Sequence, residues 1–102
     1  MAQLMKSLPR DAVTYQRTKE FSETTVPGTF LTRSHTTKAG VWGRIRVVDG
    51  TLRYRILEPE VEEHVLTPEQ PGVVEPEIPH QVEPIGKVRF FIEFLRTPDE
   101  PS

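Results

Sequence analysis

Proline and glycine occur so often along this chain that they argue against long helices. Ten prolines and six glycines are spread over 102 residues. Proline lacks the backbone N–H that a helix interior needs, so frequent prolines favour short strands joined by turns. A hydrophobic content of 35% is enough for one domain with a modest core.

Segments rich in β-forming residues alternate with turn residues along the whole chain. The predicted strands include residues 12–18, 29–35, 64–66 and 87–96. Turn signals recur roughly every 8–12 residues, which predicts about eight or nine strands in an antiparallel sandwich or small barrel. We assign residues 12–96 to this β domain, residues 1–11 to an N-terminal lead and residues 97–102 to a flexible tail.

The dipeptide Asp49-Gly50 lies between two apolar alternating segments and predicts a hairpin turn, because glycine accepts a positive φ. A second turn is expected at residues 84–86. The positions expected to supply much of the core are Val41, Ile45, Val47, Leu52, Tyr54, Ile56, Val88, Phe90, Ile92 and Phe94.

A carboxylate and an imidazole flank a bend that Pro76 and Pro79 bracket. If residues 73–75 pair with residues 80–82 as a hairpin, Glu75 and His80 lie opposite each other on the same face. Their Cβ atoms would then be roughly 5 Å apart. Two side chains in this arrangement provide half of the ligands of a metal site. A shift of one residue in the loop would bring in Glu77 as the alternative ligand. His80 could instead simply cap the bend through a backbone carbonyl.

The chain has no cysteine, so a metal would have to use histidine, carboxylate and water. His35 ends a predicted strand, and His80 begins one, so both lie where β domains often carry ligand sites. We predict a divalent metal held by His35, His80 and Glu75, with Glu77 as the alternative third ligand. His64 follows an acidic run and is interpreted as a solvated edge residue.

Five further residues are candidates for a pocket beside this metal. Trp42 and Phe91 are interpreted as core or pocket wall, and Arg44 as part of a solvated face or pointing into the pocket. Lys38 lies in a loop, from which it could contact an anionic ligand. Glu93 is a candidate base, as are Glu77 and Tyr54.

Charge and hydropathy exclude several classes of partner. The net charge is −2 with acidic and basic residues interleaved, so nothing resembles the basic surface of a nucleic-acid-binding protein. No stretch approaches ~18 apolar residues, so no membrane span is expected. The first residues lack the apolar core of a signal peptide. Together with the absence of cysteine, this is compatible with a cytoplasmic location.

Two segments resemble the two motifs of the cupin fold. Gly50 matches the closing glycine of the first motif, and Pro71-Gly72 and Pro79-His80 match the opening and the histidine of the second. More specifically, the chain is similar to the small cupin-like domain related to tellurite-resistance proteins. The matching strings are residues 25–27, 35–43, 72–80 and 88–94.

The resemblance implies an antiparallel jelly-roll sandwich, also called a double-stranded β-helix. It implies that His35 and His80 are retained ligands, whereas Thr37 stands at the second histidine position and Gly43 near the glutamate position. A set of two histidines and a carboxylate could hold Zn, Fe, Mn or Ni, with water completing the shell.

Three functions are compatible with these features. The first is a metal-binding module for a small, anionic ligand, such as an oxyanion, with a role in tellurite or oxyanion stress. The second is a metal-dependent enzyme, an oxygenase or isomerase, which needs an open coordination position. The third is a metal-free structural or interaction domain, with a homodimer built on an edge strand.

Overall fold

A computed structural model describes residues 7–32 and 36–97. They form an antiparallel β sheet with one short helix. In chain order the elements are β1 (Val13–Arg17), β2 (Phe21–Ser22), α1 (Gly28–Thr32), β3 (Trp42–Ile56), β4 (Glu62–Leu66), β5 (Gly72–Val74) and β6 (His80–Arg96). No helix in the described part of the chain is both long and apolar enough to cross a membrane.

The two long strands, β3 and β6, pair with each other along nearly their whole length, from Trp42↔Leu95 to Ile56↔His80. The other strands attach to different parts of this long pair. β1 and β2 pair with the last part of β6, and β5 pairs with the first part of β3. β4 pairs with the last part of β3. The sheet is therefore organised around one central antiparallel pair.

The β3–β6 pair divides into two layers where its register shifts near Gly50. The first layer contains residues 42–48 and 89–96 with β1, β2 and β5, and the second contains residues 51–56 and 80–85 with β4. A Cβ on Gly72, in the first layer, would be 2.8 Å from Cδ1 of Leu66 and 3.2 Å from Cδ2 of Tyr54, both in the second. The inner faces of the two layers are therefore packed against each other.

The core lies between these layers. Ile45, Leu52, Tyr54, Leu66 and Phe90 are each at most 1% exposed, and they belong to one apolar cluster. Of the ten positions predicted for the core, eight are buried. The other two, Ile92 and Phe94, are half-buried. Period-2 alternation identified them correctly because one face of each long strand is covered.

The number of strands is smaller than predicted, because two expected turns are bends inside long strands. Residues 49 and 50 lie within β3, and residues 84–86 lie within β6. Gly50 has a φ of +87°, and a Cβ there would be 2.2 Å from the carbonyl oxygen of Lys87. Its positive φ therefore serves a close approach between two strands, and the prediction of a hairpin turn was wrong.

A third difference concerns the strand predicted at residues 29–35. Residues 28–32 form α1, and residues 33–35 lie outside the described part of the chain. The Phe30 N–H donates to the Pro27 carbonyl oxygen, and the Phe30 ring meets the edge of Phe21 at a centroid distance of 5.9 Å. Burial of this ring against the core outweighs the weak strand preference of the segment.

Candidate ligand-binding site

A cavity of about 210 Å³ lies between the two layers, next to α1. The apolar side chains that line it are Phe30, Ile45, Val74, Val82, Ile92 and Phe94. Gly43 contributes backbone, and the polar residues of the lining are Thr36, Thr37 and His80. The site is therefore an apolar cavity with a small number of polar groups, as is usual for small-molecule sites.

Strand register explains which residues face the cavity. Gly43 pairs with Phe94 and Ile45 with Ile92, so these positions share the inner face of the first layer. Val74 is brought beside them because it pairs with Gly43. A Cβ on residue 43 would lie 3.1 Å from Cβ of Val74, so glycine lets β5 pack closely here.

His80 begins β6 and contributes an imidazole to the cavity wall. Its Nδ1 lies 3.2 Å from the carbonyl oxygen of Ile78. A carbonyl can only accept, so this contact is a hydrogen bond in the form of the ring whose Nδ1 carries a proton. The Tyr54 ring packs against the imidazole in an edge-on arrangement at a centroid distance of 6.0 Å. These two contacts orient the ring in the cavity wall.

Tyr54 is 1% exposed, and its hydroxyl donates to the carbonyl oxygen of Val73 at 2.9 Å. Burial raises the pKa of this phenol well above its ordinary value, and the negative charges of Glu75 and Glu62 raise it further. Tyr54 is therefore a neutral phenol that joins the second layer to β5.

Two loops near the cavity are joined through the backbone. The Glu77 N–H donates to the carbonyl oxygen of Thr37 at 3.1 Å. The Thr37 hydroxyl donates to the carbonyl oxygen of Val41 at 2.6 Å. These bonds hold the loop before β3 against the bend before β6, and they position Thr37 in the cavity lining.

The predicted hairpin between residues 73–75 and 80–82 does not form. His80 and Val82 pair with the end of β3, whereas Val73 and Val74 pair with its beginning. The two segments pair with β3 at opposite ends of its length, so Glu75 and His80 are not cross-strand neighbours. The prediction was wrong because it assumed a local pairing where both segments have a more distant partner.

The predicted metal ligands have different positions in the fold. His80 is in the cavity lining, and Glu75 is half-buried just after β5, close enough to Tyr54 for its charge to affect the phenol. Glu77 is exposed in the bend, and His35 lies outside the described residues. Within residues 7–32 and 36–97, no group of three or more histidine, aspartate or glutamate side chains is arranged to hold a metal ion.

Four residues proposed for the pocket lie on the opposite face of the first layer. Trp42, Arg44, Phe91 and Glu93 alternate with the residues that face the cavity. The Nε of Arg44 is bonded to Oε1 of Glu93 at 2.6 Å on this outer face. Lys38 is exposed in the loop before β3 and is not among the lining residues. This placement follows from strand alternation, which puts neighbouring positions on opposite faces.

Sequence reasoning missed Phe30 and Val74 and gave Thr37 no role in the pocket. Phe30 was placed in a strand, and the close packing of Val74 on Gly43 depends on a strand pairing that no local pattern reveals. His64 also differs from its solvated interpretation. Its side chain is 13% exposed, and its Nε2 lies 3.3 Å from Oε1 of Glu62.

The fold and site define a small all-β domain with an apolar cavity between two layers of strands. Residues 16–92 match the family described as TehB-like domain. The chain therefore belongs to the TehB-like domain family.

Solved structures that resemble this chain include the following two. One is TehB from Haemophilus influenzae, with a TM-score of 0.77 and 28% identity over 86% of this chain and 32% of that one. The chain therefore spans about a third of the length of TehB. The other is a structural-genomics protein from E. coli strain K12, with a TM-score of 0.81 and 23% identity over 93% of this chain and 100% of that one. This second likeness shows a common fold. No curated protein matches the chain.

Proposed function

We propose that this domain is a small-ligand-binding module whose site is the cavity between the two layers. The observation that carries the proposal is the imidazole of His80 in a largely apolar cavity wall, held by the Ile78 carbonyl. Small-molecule sites combine apolar walls with a few fixed polar groups. The family relationship also suggests a cupin-type jelly roll and a role in tellurite or oxyanion stress.

A divalent metal is the form of this proposal that the sequence favours, with His35, His80 and Glu75 as ligands. One feature of His80 supports it. Histidines that bind metals commonly donate their other ring N–H to a carbonyl, which fixes the ring, and Nδ1 of His80 faces such an oxygen. The described residues supply at most two of the three donors, so a complete site depends on His35. A bound metal would supply Lewis-acid chemistry.

The ligand-binding proposal can be tested by two-dimensional NMR on the ¹⁵N-labelled chain with a library of small fragments. We expect some fragments to shift the amide signals of Gly43, Val74 and Ile92 together. A matched variant, Ile92→Trp, should lose these shifts, because the indole fills the cavity. Fragments that shift only surface amides, with no response at the cavity in the wild type, would refute the proposal.

The metal proposal has its own test. The chain is reconstituted with Zn, Fe, Mn or Ni, dialysed and analysed for metal, beside His80→Ala and the control His64→Ala. One ion per chain in the wild type and control, but none in His80→Ala, is the expected result. Equal metal content in all three proteins would remove His80 from the site.

A further inference from the structure

We propose that the outer face of the first layer binds an acidic segment of a second copy of this chain. The face is formed by outward residues of three neighbouring strands, which we call the arginine face: Arg17, Trp42, Arg44, Arg46, Phe91 and Glu93. The acidic segment is residues 58–63, Glu-Pro-Glu-Val-Glu-Glu. This contact does not involve the cavity, and it uses a sheet face rather than the strand edge considered from the sequence.

Strand register places the basic and aromatic side chains of the arginine face next to each other. Glu93 on β6 pairs with Arg17 of β1 on one side and with Arg44 of β3 on the other. Phe91, two positions earlier on β6, pairs with Arg46. The guanidinium of Arg17 lies over the Phe91 ring, 5.1 Å from its centroid. These paired positions therefore hold three arginines and one carboxylate.

The arginine face has the composition that protein interfaces favour, which is arginine beside large aromatic side chains. Trp42 and Phe91 are half-buried, so part of each side chain remains accessible. Arg17 and Arg46 are exposed, and no ion pair of the described residues involves either of them. The face therefore offers two cations without a carboxylate partner, beside accessible aromatic rings.

The acidic segment has the complementary charge and an exposed apolar side chain. It has four carboxylates in six residues and no basic residue. Its last two carboxylates lie against basic groups of the same copy. Glu58 and Glu60 are exposed and have no ion-pair partner in the described part of the chain. Val61 between them and β4 is 63% exposed. The two carboxylates can therefore pair with arginines of the face while Val61 contacts its rings.

The contact forms between copies rather than within one. The acidic segment leads into β4, which belongs to the second layer. The inner face of the first layer packs against that second layer, so the arginine face on its other side points away from it. A contact between two different surfaces is head-to-tail, so it builds open chains or closes into a ring.

A second copy fits this face better than a nucleic acid does. The Arg17 guanidinium covers the Phe91 ring, on which a base would otherwise stack. Glu93 lies among the arginines and is bonded to Arg44, so it would repel a phosphate. Carboxylates of a protein partner are held by single exposed arginines, and this chain itself supplies such carboxylates.

Sedimentation equilibrium of the wild-type chain over a series of concentrations tests the proposal. We expect the average mass at low salt to rise with concentration above the 11.7 kDa of one chain. In about 0.5 M NaCl the association constant should fall at least about tenfold, because salt screens interactions between exposed charges. This comparison needs no variant.

Two variants locate the two halves of the contact. Arg17→Gln/Arg46→Gln removes the unpaired cations of the face, and Glu58→Gln/Glu60→Gln removes the unpaired carboxylates of the segment. Each variant alone should stay monomeric where the wild type associates. An equal mixture should form a dimer of twice the mass of one chain and no larger species, because only one intact face and one intact segment can meet.

A third variant controls for the change in net charge. Lys38→Gln/Lys87→Gln removes two positive charges at exposed positions outside the arginine face, and it should associate as the wild type does. All the substituted positions are exposed, and thermal unfolding followed by circular dichroism checks that each variant is folded.

A wild type that is monomeric at every concentration would overturn the proposal, as would association that the Arg17→Gln/Arg46→Gln variant retains. A mixture of the two variants that stays monomeric would overturn the pairing of this face with this segment. A monomeric wild type whose Arg46 and Phe91 amide signals shift with a thymidine oligonucleotide would assign the face to nucleic acid instead.

Discussion

The hydroxyl of Tyr54 donates a hydrogen bond of 2.9 Å to the carbonyl oxygen of Val73. This bond joins the second-layer part of β3 to β5 in the first layer, whose ladder with β3 involves residues 43–45. Gly72 lies directly beside it and packs on Tyr54 and Leu66. The contact therefore helps to hold the two layers together beside the cavity.

Replacement of Tyr54 by phenylalanine should destabilise the fold through loss of this bond. The ring remains, but the Val73 carbonyl loses its phenolic donor, so we expect the free energy of unfolding to fall by about 1–2 kcal/mol. Tyr15→Phe is the matched control, because Tyr15 is 46% exposed, and it should change stability by less than about 0.5 kcal/mol. Urea denaturation measures both. Equal effects would show that the Tyr54 bond contributes nothing specific.

The same phenol should make stability depend on pH in the alkaline range. Burial raises the pKa of Tyr54 in the folded state, and the carboxylates of Glu75 and Glu62 add to this. The folded state therefore holds the proton more tightly than the unfolded state, whose tyrosine titrates near ~10. The contribution is fully present below that pH and is lost as pH rises from there towards the folded pKa.

Denaturation series between pH 8 and pH 11 for the wild type and Tyr54→Phe test this linkage. The wild type should lose stability more steeply above pH 10, with a difference in slope of at most about 1.4 kcal/mol per pH unit. Parallel curves would mean that Tyr54 titrates alike in both states. Every other ionisable group is common to both proteins, so its contribution cancels in the comparison.

Gly50 should tolerate no side chain. Its φ is +87°, and an added Cβ would lie 2.2 Å from the Lys87 carbonyl oxygen. We expect Gly50→Ala to cost more than about 2 kcal/mol, from backbone strain together with the overlap. The control is Gly86→Ala, where φ is +67° but no atom lies within 4 Å. It should cost about 1–2 kcal/mol. Thermal unfolding followed by circular dichroism separates overlap from strain, and equal losses would argue against the overlap.

Gly50 also shows where sequence reasoning succeeds and where it stops. Alternation around Asp49-Gly50 correctly identified the inward faces of two strand segments, because burial of one face fixes a period of two. The need for a positive φ was also read correctly. The structural role of this positive φ was predicted wrongly, because a hairpin turn and a bend against a neighbouring strand both require a positive φ at residue 50. Only the pairing of β3 with β6 distinguishes them.

The residues of the candidate site were also predicted only in part from the sequence. His80 was identified from its position after a proline-bracketed bend, and it does line the cavity. Arg44 and Glu93 were predicted to line the pocket, but the sequence does not show which face of a strand is covered. No local pattern predicts that Val74 lines the cavity, because β5 pairs with a segment of β3 about thirty residues earlier in the chain. Non-local pairing is the information that a single sequence lacks.

Replacement of Glu77 by glycine should relieve the backbone strain at this position. Glu77 has a φ of +63° at the third position of a turn in which the Ile78 N–H donates to the Glu75 carbonyl oxygen at 3.4 Å. That position of a type II turn is best occupied by glycine. Comparison with Glu77→Ala isolates the backbone effect, because both variants lose the carboxylate and only glycine removes the strain. We expect Glu77→Gly to be more stable than Glu77→Ala by about 1 kcal/mol.

The same two variants address the choice between Glu75 and Glu77 as third metal ligand. Because the Glu77 side chain is exposed in the bend, neither variant should change the zinc content after reconstitution, whereas Glu75→Gln should lower it. Loss of zinc from both Glu77 variants with retention in Glu75→Gln would reverse the assignment. Equal stability of the Glu77→Ala and Glu77→Gly proteins in urea denaturation would show that the backbone at residue 77 carries no strain for glycine to relieve.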